Sequence, residues 1–161
     1  MIKNKSQVKI RTGKKKDIPQ ILSLVKELAA YERAPKEVTN TINSMEQDGF
    51  EKNPVFDSLV AEVDKKIVGI AIYYTAYSTW KGKYIYLDDI IVTEKHRRNG
   101  IGKMLFDAVI KSAKEKGAKQ IRWHVLNWNT PAINFYKKYN ISFDNEWITC
   151  KLTEEQIKKA K

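Results

Sequence analysis

Two short stretches of this chain hold residues whose types and spacing could do chemistry. The first is Arg97-Arg98-Asn99-Gly100-Ile101-Gly102-Lys103. Glycines let a turn fold tightly and let a ligand come close to the backbone. If a helix starts here, its first amides have no acceptor within the helix, and its dipole adds partial positive charge. Those amides, with Arg97, Arg98 and Lys103, describe a cradle for a phosphate-like anion. The second stretch is Asp88-Asp89, two adjacent carboxylates in an apolar run, with Tyr84-Ile85-Tyr86-Leu87 before them and Ile90-Ile91-Val92 after. A strand alternates its faces, so one of the two should point toward the interior or a cleft. A buried carboxylate is costly without a partner. On pattern alone the pair reads either as a salt bridge to one of the lysines or as carboxylates held in a cleft.

The elements that must position these groups follow from periodicity. Val8 and Ile10 alternate with polar residues as a short strand. Asp17 is a good cap for a helix carrying Ile18, Ile21, Leu22, Val25, Leu28 and Ala29, ending near Glu32. A second helix is expected over Thr39 to Asp48, with Gly49 as its stop. Leu59 to Val63 and Ile67 to Thr75 read as strands joined by a hairpin turn at Asp64-Lys65-Lys66. After a turn at Ser78 to Lys83, Tyr84 to Val92 is a strand leading into the glycine loop. The next helix should bury Met104, Leu105, Ala108, Val109, Ser112 and Ala113, and Gly117 should stop it. Gln120 to Leu126 reads as a strand. Thr130 and Pro131 start another helix, which Asn140 ends. Trp147 to Leu152 is expected as a last strand, and Thr153 to Lys161 as a frayed or helical tail. The order β-α-α-β-β-β-α-β-α-β, with hairpins first and β-α-β units later, implies an α/β fold with a mixed sheet flanked by helices. A single domain over 1–161 is expected.

Composition narrows the class. In 161 residues, 42% are hydrophobic and 30% charged, which suits a globular domain with a real core. No apolar run approaches a membrane span, and Met1 to Lys5 has no apolar signal core. With one cysteine, Cys150, no internal disulfide framework is available, so a cytoplasmic protein is expected. The formal charge of +11 admits a basic nucleic-acid-binding module. The lysines are spread out, however, and a basic surface also attracts an anionic cofactor. His96 and His124 are isolated and read as surface and strand residues, and no metal is expected. Cys150, read as partly buried late in a strand, has no histidine nearby to activate it. Gly102-Lys103-Met104 lacks the hydroxyl of a Walker loop, and Leu105 stands where a dinucleotide fingerprint needs its third glycine.

Arg97-x-x-Gly100-x-Gly102, after a strand and opening a helix, resembles the acyl-CoA pyrophosphate loop of the GCN5-related N-acetyltransferases. Trp128-Asn129-Thr130-Pro131-Ala132-Ile133-Asn134-Phe135-Tyr136 resembles the second conserved block of that superfamily. Three further runs resemble the diamine (spermidine/spermine N1-) acetyltransferases: Leu24 to Glu32, Leu59 to Val63, and Trp80-x-Gly82-Lys83 with Tyr86-Leu87-Asp88-Asp89. The likeness runs from about Val8 to Ala160.

The resemblance implies an acetyl-CoA-dependent N-acetyltransferase acting on a primary amine, a polyamine or diamine first. It implies that Arg97, Arg98, Asn99, Gly100, Ile101, Gly102 and Lys103 hold the pyrophosphate. Backbone groups of Ile90, Ile91 and Val92 meet the pantetheine arm, together with Asn129. Tyr136 stands beside the sulfur as the acid for the departing thiolate, and spacing alone would make it a core aromatic. Asp89 or Asp88 assists amine deprotonation, and Tyr31, Glu32 and Trp80 line the amine pocket. A homodimer is implied as well. Asp88 stands where the diamine enzymes carry the longer glutamate, and the surface is basic for a receiver of polycations. Thialysine, lysine or another small amine therefore stays open as acceptor, and a CoA-binding fold without activity is a third reading.

Overall fold

The computed structural model describes residues 7–160. The readings made at Met1 to Lys5 and at Lys161 lie outside the described residues. The chain divides into two compact units, residues up to His124 and residues from Val125 onward.

The first unit is built on a five-stranded sheet in the order β1 (Lys9–Thr12), β2 (Asp57–Val63), β3 (Lys66–Ser78), β4 (Gly82–Val92) and β5 (Ile121–Arg122). The first four strands are antiparallel neighbours, and β5 joins β4 in parallel. The expected tight turn between β2 and β3 is present. Asp64 and Lys65 take φ of 48° and 65°, the left-handed pair that matches hairpin twist. Helix α1 (Ile18–Tyr31) buries Ile18, Ile21, Leu22 and Leu24. These pack with Val60, Ile70, Ile72 and Ile91 of the sheet and with Met45 of α2 (Ile42–Phe50). On the opposite face α3 (Ile101–Glu115) buries Ile101, Leu105, Phe106, Val109 and Ala113. Tyr73 of β3 points to that side and donates its hydroxyl to Ser112 of α3 at 3.0 Å. The sheet is thus mixed and covered by helices, as its alternating elements imply.

Several local expectations are corrected. Asp17 stands at the N-cap of α1, yet its carboxylate does not cap that helix. It accepts the Lys14 amide and both terminal nitrogens of Arg11 instead. Helix α2 starts at Ile42, because Thr41 Oγ1 accepts from Ser44 N–H and so fixes the cap two residues after Thr39. Gly49 lies inside α2, where a Cβ would sit 2.5 Å from the Phe56 ring, so close packing and not helix termination explains it. The buried face of α3 is turned slightly, leaving Met104 exposed and taking Phe106 inward. Gly117 ends α3 with φ of 66°. β5 is much shorter than Gln120 to Leu126.

In the second unit α4 (Thr130–Lys137) is capped by Asn129, whose Oδ1 accepts from Ala132 N–H at 3.3 Å, one residue before the expected cap. Asn140 has φ of 53°, three residues beyond the helix end. The expected strand Trp147 to Leu152 is not formed: the segment pairs with no strand among the described residues, and Trp147, Ile148 and Leu152 are exposed. Apolar β-formers there lack a ladder partner, and a lone strand has nothing to donate to. Cys150 is exposed, not partly buried. The tail forms α5 (Glu154–Lys159), with Thr153 and Gln156 in a reciprocal capping box. No helix among the described residues is long and apolar enough to cross a membrane.

Candidate active site

The two aspartates sit on an irregularity of the sheet. Ile72 of β3 faces Asp89 and Tyr73 faces Leu87, so Asp88 is an extra residue with no partner. Such a bulge breaks the alternation of faces. The expectation that one aspartate would point inward is thereby revised, because Asp88 and Asp89 line the same cavity. This cavity, about 620 Å³ in volume, lies on the α1 side of the sheet. Leu22 and Val25 of α1, Met45 of α2, Phe56, and Ile72 and Tyr74 of β3 supply apolar walls. Glu37, Thr39 and Asn40, between α1 and α2, add polar groups. Three carboxylates line it, Glu37, Asp88 and Asp89, and no lysine or arginine does. A small organic cation matches such a space in size and charge.

Neither aspartate has an ion pair or hydrogen bond among the described residues, so the salt-bridge reading of the pair fails. Burial, then the Asp88 charge, then Glu32, push the Asp89 carboxyl up to about 6. Asp88, more exposed, is raised by desolvation alone, as is Glu32 at the end of α1. A carboxylate half-titrated near neutrality is suited to take a proton and pass it on.

Only Ile85 and Tyr86 of β4 pair with β5. From Leu87 to Val92 the β4 edge on that side has no neighbouring strand among the described residues, so backbone groups of Ile90 to Val92 lie along an edge without a ladder. Just beyond, the glycine loop leads into α3. The first bond inside α3 runs from Met104 N–H to the Gly100 carbonyl at 3.1 Å, which leaves the Ile101, Gly102 and Lys103 amides without helical acceptors. Gly100 has φ of 79°, and a Cβ built on it would meet nothing within 4 Å. On Gly102 a Cβ would touch only Val92, at 3.9 Å. Nothing among the described residues requires glycine at 102, and a bare backbone there leaves room for a diphosphate to approach. The loop therefore fits the anion expected of it.

The matches to known proteins agree with this geometry. Residues 20–140 match the family model described as "Acetyltransferase (GNAT) family". The chain belongs to that family. It is 40% identical over 138 residues to a Bos taurus "Thialysine N-epsilon-acetyltransferase", covering 81% of each chain. It is 33% identical over 158 residues to the Homo sapiens "Spermidine/spermine N(1)-acetyltransferase-like protein 1", covering 92% of this chain and 23% of that one. Its fold superposes on that of an aminoglycoside N-acetyltransferase solved in complex with CoA, with a TM-score of 0.75 at 19% identity, over 94% of this chain and 99% of the other. The protein is thus a GNAT N-acetyltransferase, a family that uses acetyl-CoA.

Within that family frame, the remaining residues divide. Arg97 does not reach outward from the loop. Its Nε donates to the Val92 carbonyl at 2.9 Å, its guanidinium lies 5.0 Å from the Tyr31 ring centre, and Glu27 is 4.0 Å away. Tyr31 is therefore engaged with the loop. Neither it nor Glu32 is among the cavity walls, although Glu32 acts on Asp89 through space. Trp80, on the β3–β4 turn, is 80% exposed and also outside the cavity. Arg98, with φ of 63°, is exposed. Asn99 donates to the His96 and Arg97 carbonyls, and Lys103 pairs with Asp107. His96 is half-buried, not a surface residue, with its Nδ1 buried and unbonded. In the second unit, Asn129 and Tyr136 are both buried, Asn129 as the cap of α4 and Tyr136 within it. Sequence reasoning missed Glu37 and Tyr74. The adjacent tyrosines Tyr73-Tyr74 in an apolar strand were the available signal, since alternation sends one to each face.

Proposed function

We propose that this GNAT enzyme transfers the acetyl group of acetyl-CoA to a small polycationic amine, a polyamine or diamine first, with 1–161 forming one N-acetyltransferase domain. The observation that carries the substrate reading is the cavity with three carboxylates, two aromatic rings and no cation among its walls. An alkyldiamine presents only ammonium groups, and all of them find partners there. Thialysine, the substrate in the name of the Bos taurus relative, is the second reading. It would bring an α-carboxylate into a wall that already holds Glu37, Asp88 and Asp89.

Bound acetyl-CoA supplies an activated acyl group as a thioester. The residues of this chain have three tasks around it. The amides at the start of α3 hold the pyrophosphate, with Arg98 and Lys103 adding charge and Arg97 bracing the loop from behind. The open edge at Ile90 to Val92 orients the arm, with Asn129 as a further partner, and an amide there polarises the carbonyl. Asp89 deals with the amine proton: with a pKa near ~10.4, only about one alkylamine in 2,500 is neutral at pH 7. Ionised above about 6, Asp89 accepts that proton and Asp88 keeps the pair anionic. Tyr136 protonates the leaving sulfur. The resemblance adds a homodimer to this reading, and the single cysteine a cytoplasmic location.

The test is thiol release from acetyl-CoA with spermidine, spermine, putrescine, thialysine, lysine and a basic peptide. Fastest turnover on polyamines is expected, and turnover confined to thialysine or lysine would overturn the substrate reading. Tyr136→Phe should lower turnover about 100-fold and leave acetyl-CoA binding by calorimetry unchanged. Unaltered turnover would remove Tyr136 from the mechanism.

A further inference from the structure

One wall of the cavity leads to a group that the chemistry above does not use. Tyr74 lines the cavity. Its ring stacks on Tyr86, its direct partner across β3 and β4, with centroids 5.2 Å apart and planes 28° from parallel. The Tyr86 hydroxyl lies 2.5 Å from His124 Nδ1, and the two rings are 5.8 Å apart. His124 follows β5 directly and is exposed. Tyr86 lies two residues before Asp88, so the stack and the carboxylates share one stretch of β4.

The imidazole tautomer sets the direction of the short hydrogen bond. Burial first, and neighbouring tyrosine and aspartate charges second, hold the Tyr74 and Tyr86 phenols above their ordinary range, so both keep their protons at neutral pH. In the tautomer that carries its proton on Nε2, the imidazole accepts the Tyr86 hydroxyl at Nδ1. A phenol that donates to a base gains electron density in its ring. The face of an aromatic ring attracts a cation.

We propose that His124 is a positioning residue for the amine: by accepting the Tyr86 hydroxyl it fixes Tyr86, and with it the stacked Tyr74 ring, as an electron-rich wall of the cavity that receives a substrate ammonium. The proposal rests on the reading of this cavity as the amine site. It assigns His124 to amine selection, with no part in proton transfer to or from the reacting atoms. Loss of the imidazole frees Tyr86 to rotate and thins the wall, so ground-state binding of the amine suffers and the chemical step does not.

The experiment is steady-state kinetics with spermidine and thialysine in parallel. His124→Ala should raise the KM of the amine about two- to fivefold, the range of a cation–π contact at a partly open site, with kcat and the acetyl-CoA KM held. His124→Asn puts Oδ1 in the place of Nδ1 and should restore the amine KM. Tyr86→Phe should match His124→Ala, and the double variant should be no worse than either single one, because both remove the same link. An unchanged amine KM in His124→Ala, while Asp89→Asn disables the same amine, would overturn the proposal and leave the cavity reading standing. If Asp89→Asn is silent too, the cavity reading fails and carries the proposal with it. A fall in kcat with a rise in both KM values would mark a distorted strand, and this also overturns it.

Discussion

The first unit holds two clusters of acidic side chains, and they are treated in opposite ways. In one, Asp17 is 3% exposed and fully answered. Arg11 donates to it at 2.6 Å and to Glu62 at 2.7 Å, and the Lys14 amide adds a bond at 2.8 Å. The Arg11 bond chiefly, set against a smaller desolvation effect, lowers the Asp17 carboxyl. In the other, Asp88 and Asp89 share a cavity with no counter-charge, and burial raises both. The first cluster ties β1 to β2 and to the start of α1. The second leaves negative charge without a protein counter-charge, which lowers stability and would favour a cation from outside. A paired carboxylate serves the fold, whereas the unanswered pair held by the same sheet is the one we propose to serve a ligand.

Removing one carboxylate from each cluster separates these roles. Asp17→Asn leaves Arg11 partly buried with one anion fewer, and should lower stability by about 3 kcal/mol in urea unfolding with kcat/KM little changed. Asp89→Asn should do the reverse. Activity on a cationic amine should fall about 100-fold, while stability at pH 7 rises by about 1–3 kcal/mol. A destabilised Asp89→Asn protein would mean that the carboxylate has a structural partner after all.

Acid titration probes the same contrast through its sign. Asp17 has its folded pKa lowered, so its stabilisation is present above the unfolded value near ~3.9 and is lost as pH falls through the folded value. Asp89 has its folded value raised to about 6, so its charge opposes folding above that pH, and the penalty disappears as pH falls from about 6 toward 4. Activity should follow the ionised form of Asp89, rising to a plateau above pH about 6 in kcat/KM. Asp88→Asn removes the neighbouring charge that helps raise Asp89 and should move this limb to lower pH. A limb that stays in place would assign it to another group.

The difference between the two clusters was only partly visible in the residue string. Asp88-Asp89 was legible as an anomaly because charges interrupt an apolar strand. Helix α1, the Asp64-Lys65 turn and the glycine loop before α3 were legible for the same local reason, since each depends on residues within a few positions. The bulge that aims both aspartates into one cavity was not. It is a mismatch of count between β3 and β4, and strand alternation contains no information about a partner. The bond from Arg11 to Asp17 was hidden likewise, because different donors compete for the oxygens of a good cap residue and tertiary contact decides. Trp147 to Leu152 had strand chemistry without a strand to pair with. Tyr31, Glu32 and Trp80, matched through resemblance, lie outside the cavity walls, whereas Glu37 and Tyr74, which no motif marked, form part of them.

The smallest expected effect concerns a third way of meeting charge, by backbone amides, which neither carboxylate cluster uses. Gly100 and Gly102 look equivalent as a Gly-x-Gly pair, yet the structure gives them different duties. At φ of 79°, Gly100 holds a conformation that side chains resist, so Gly100→Ala should cost about 1 kcal/mol of stability. Gly102 is in the first turn of α3, where alanine is a better helix former and its Cβ would rest 3.9 Å from Val92. Gly102→Ala should therefore leave the unfolding midpoint unchanged or slightly higher, while raising the acetyl-CoA KM several-fold and leaving the amine KM alone. On the proposed reading, a glycine that the fold does not need serves what approaches it. If Gly102→Ala left both KM values untouched, the amides at the start of α3 would be a helix end and not a diphosphate site, and the contrast between answered and unanswered charge would stop at the carboxylates.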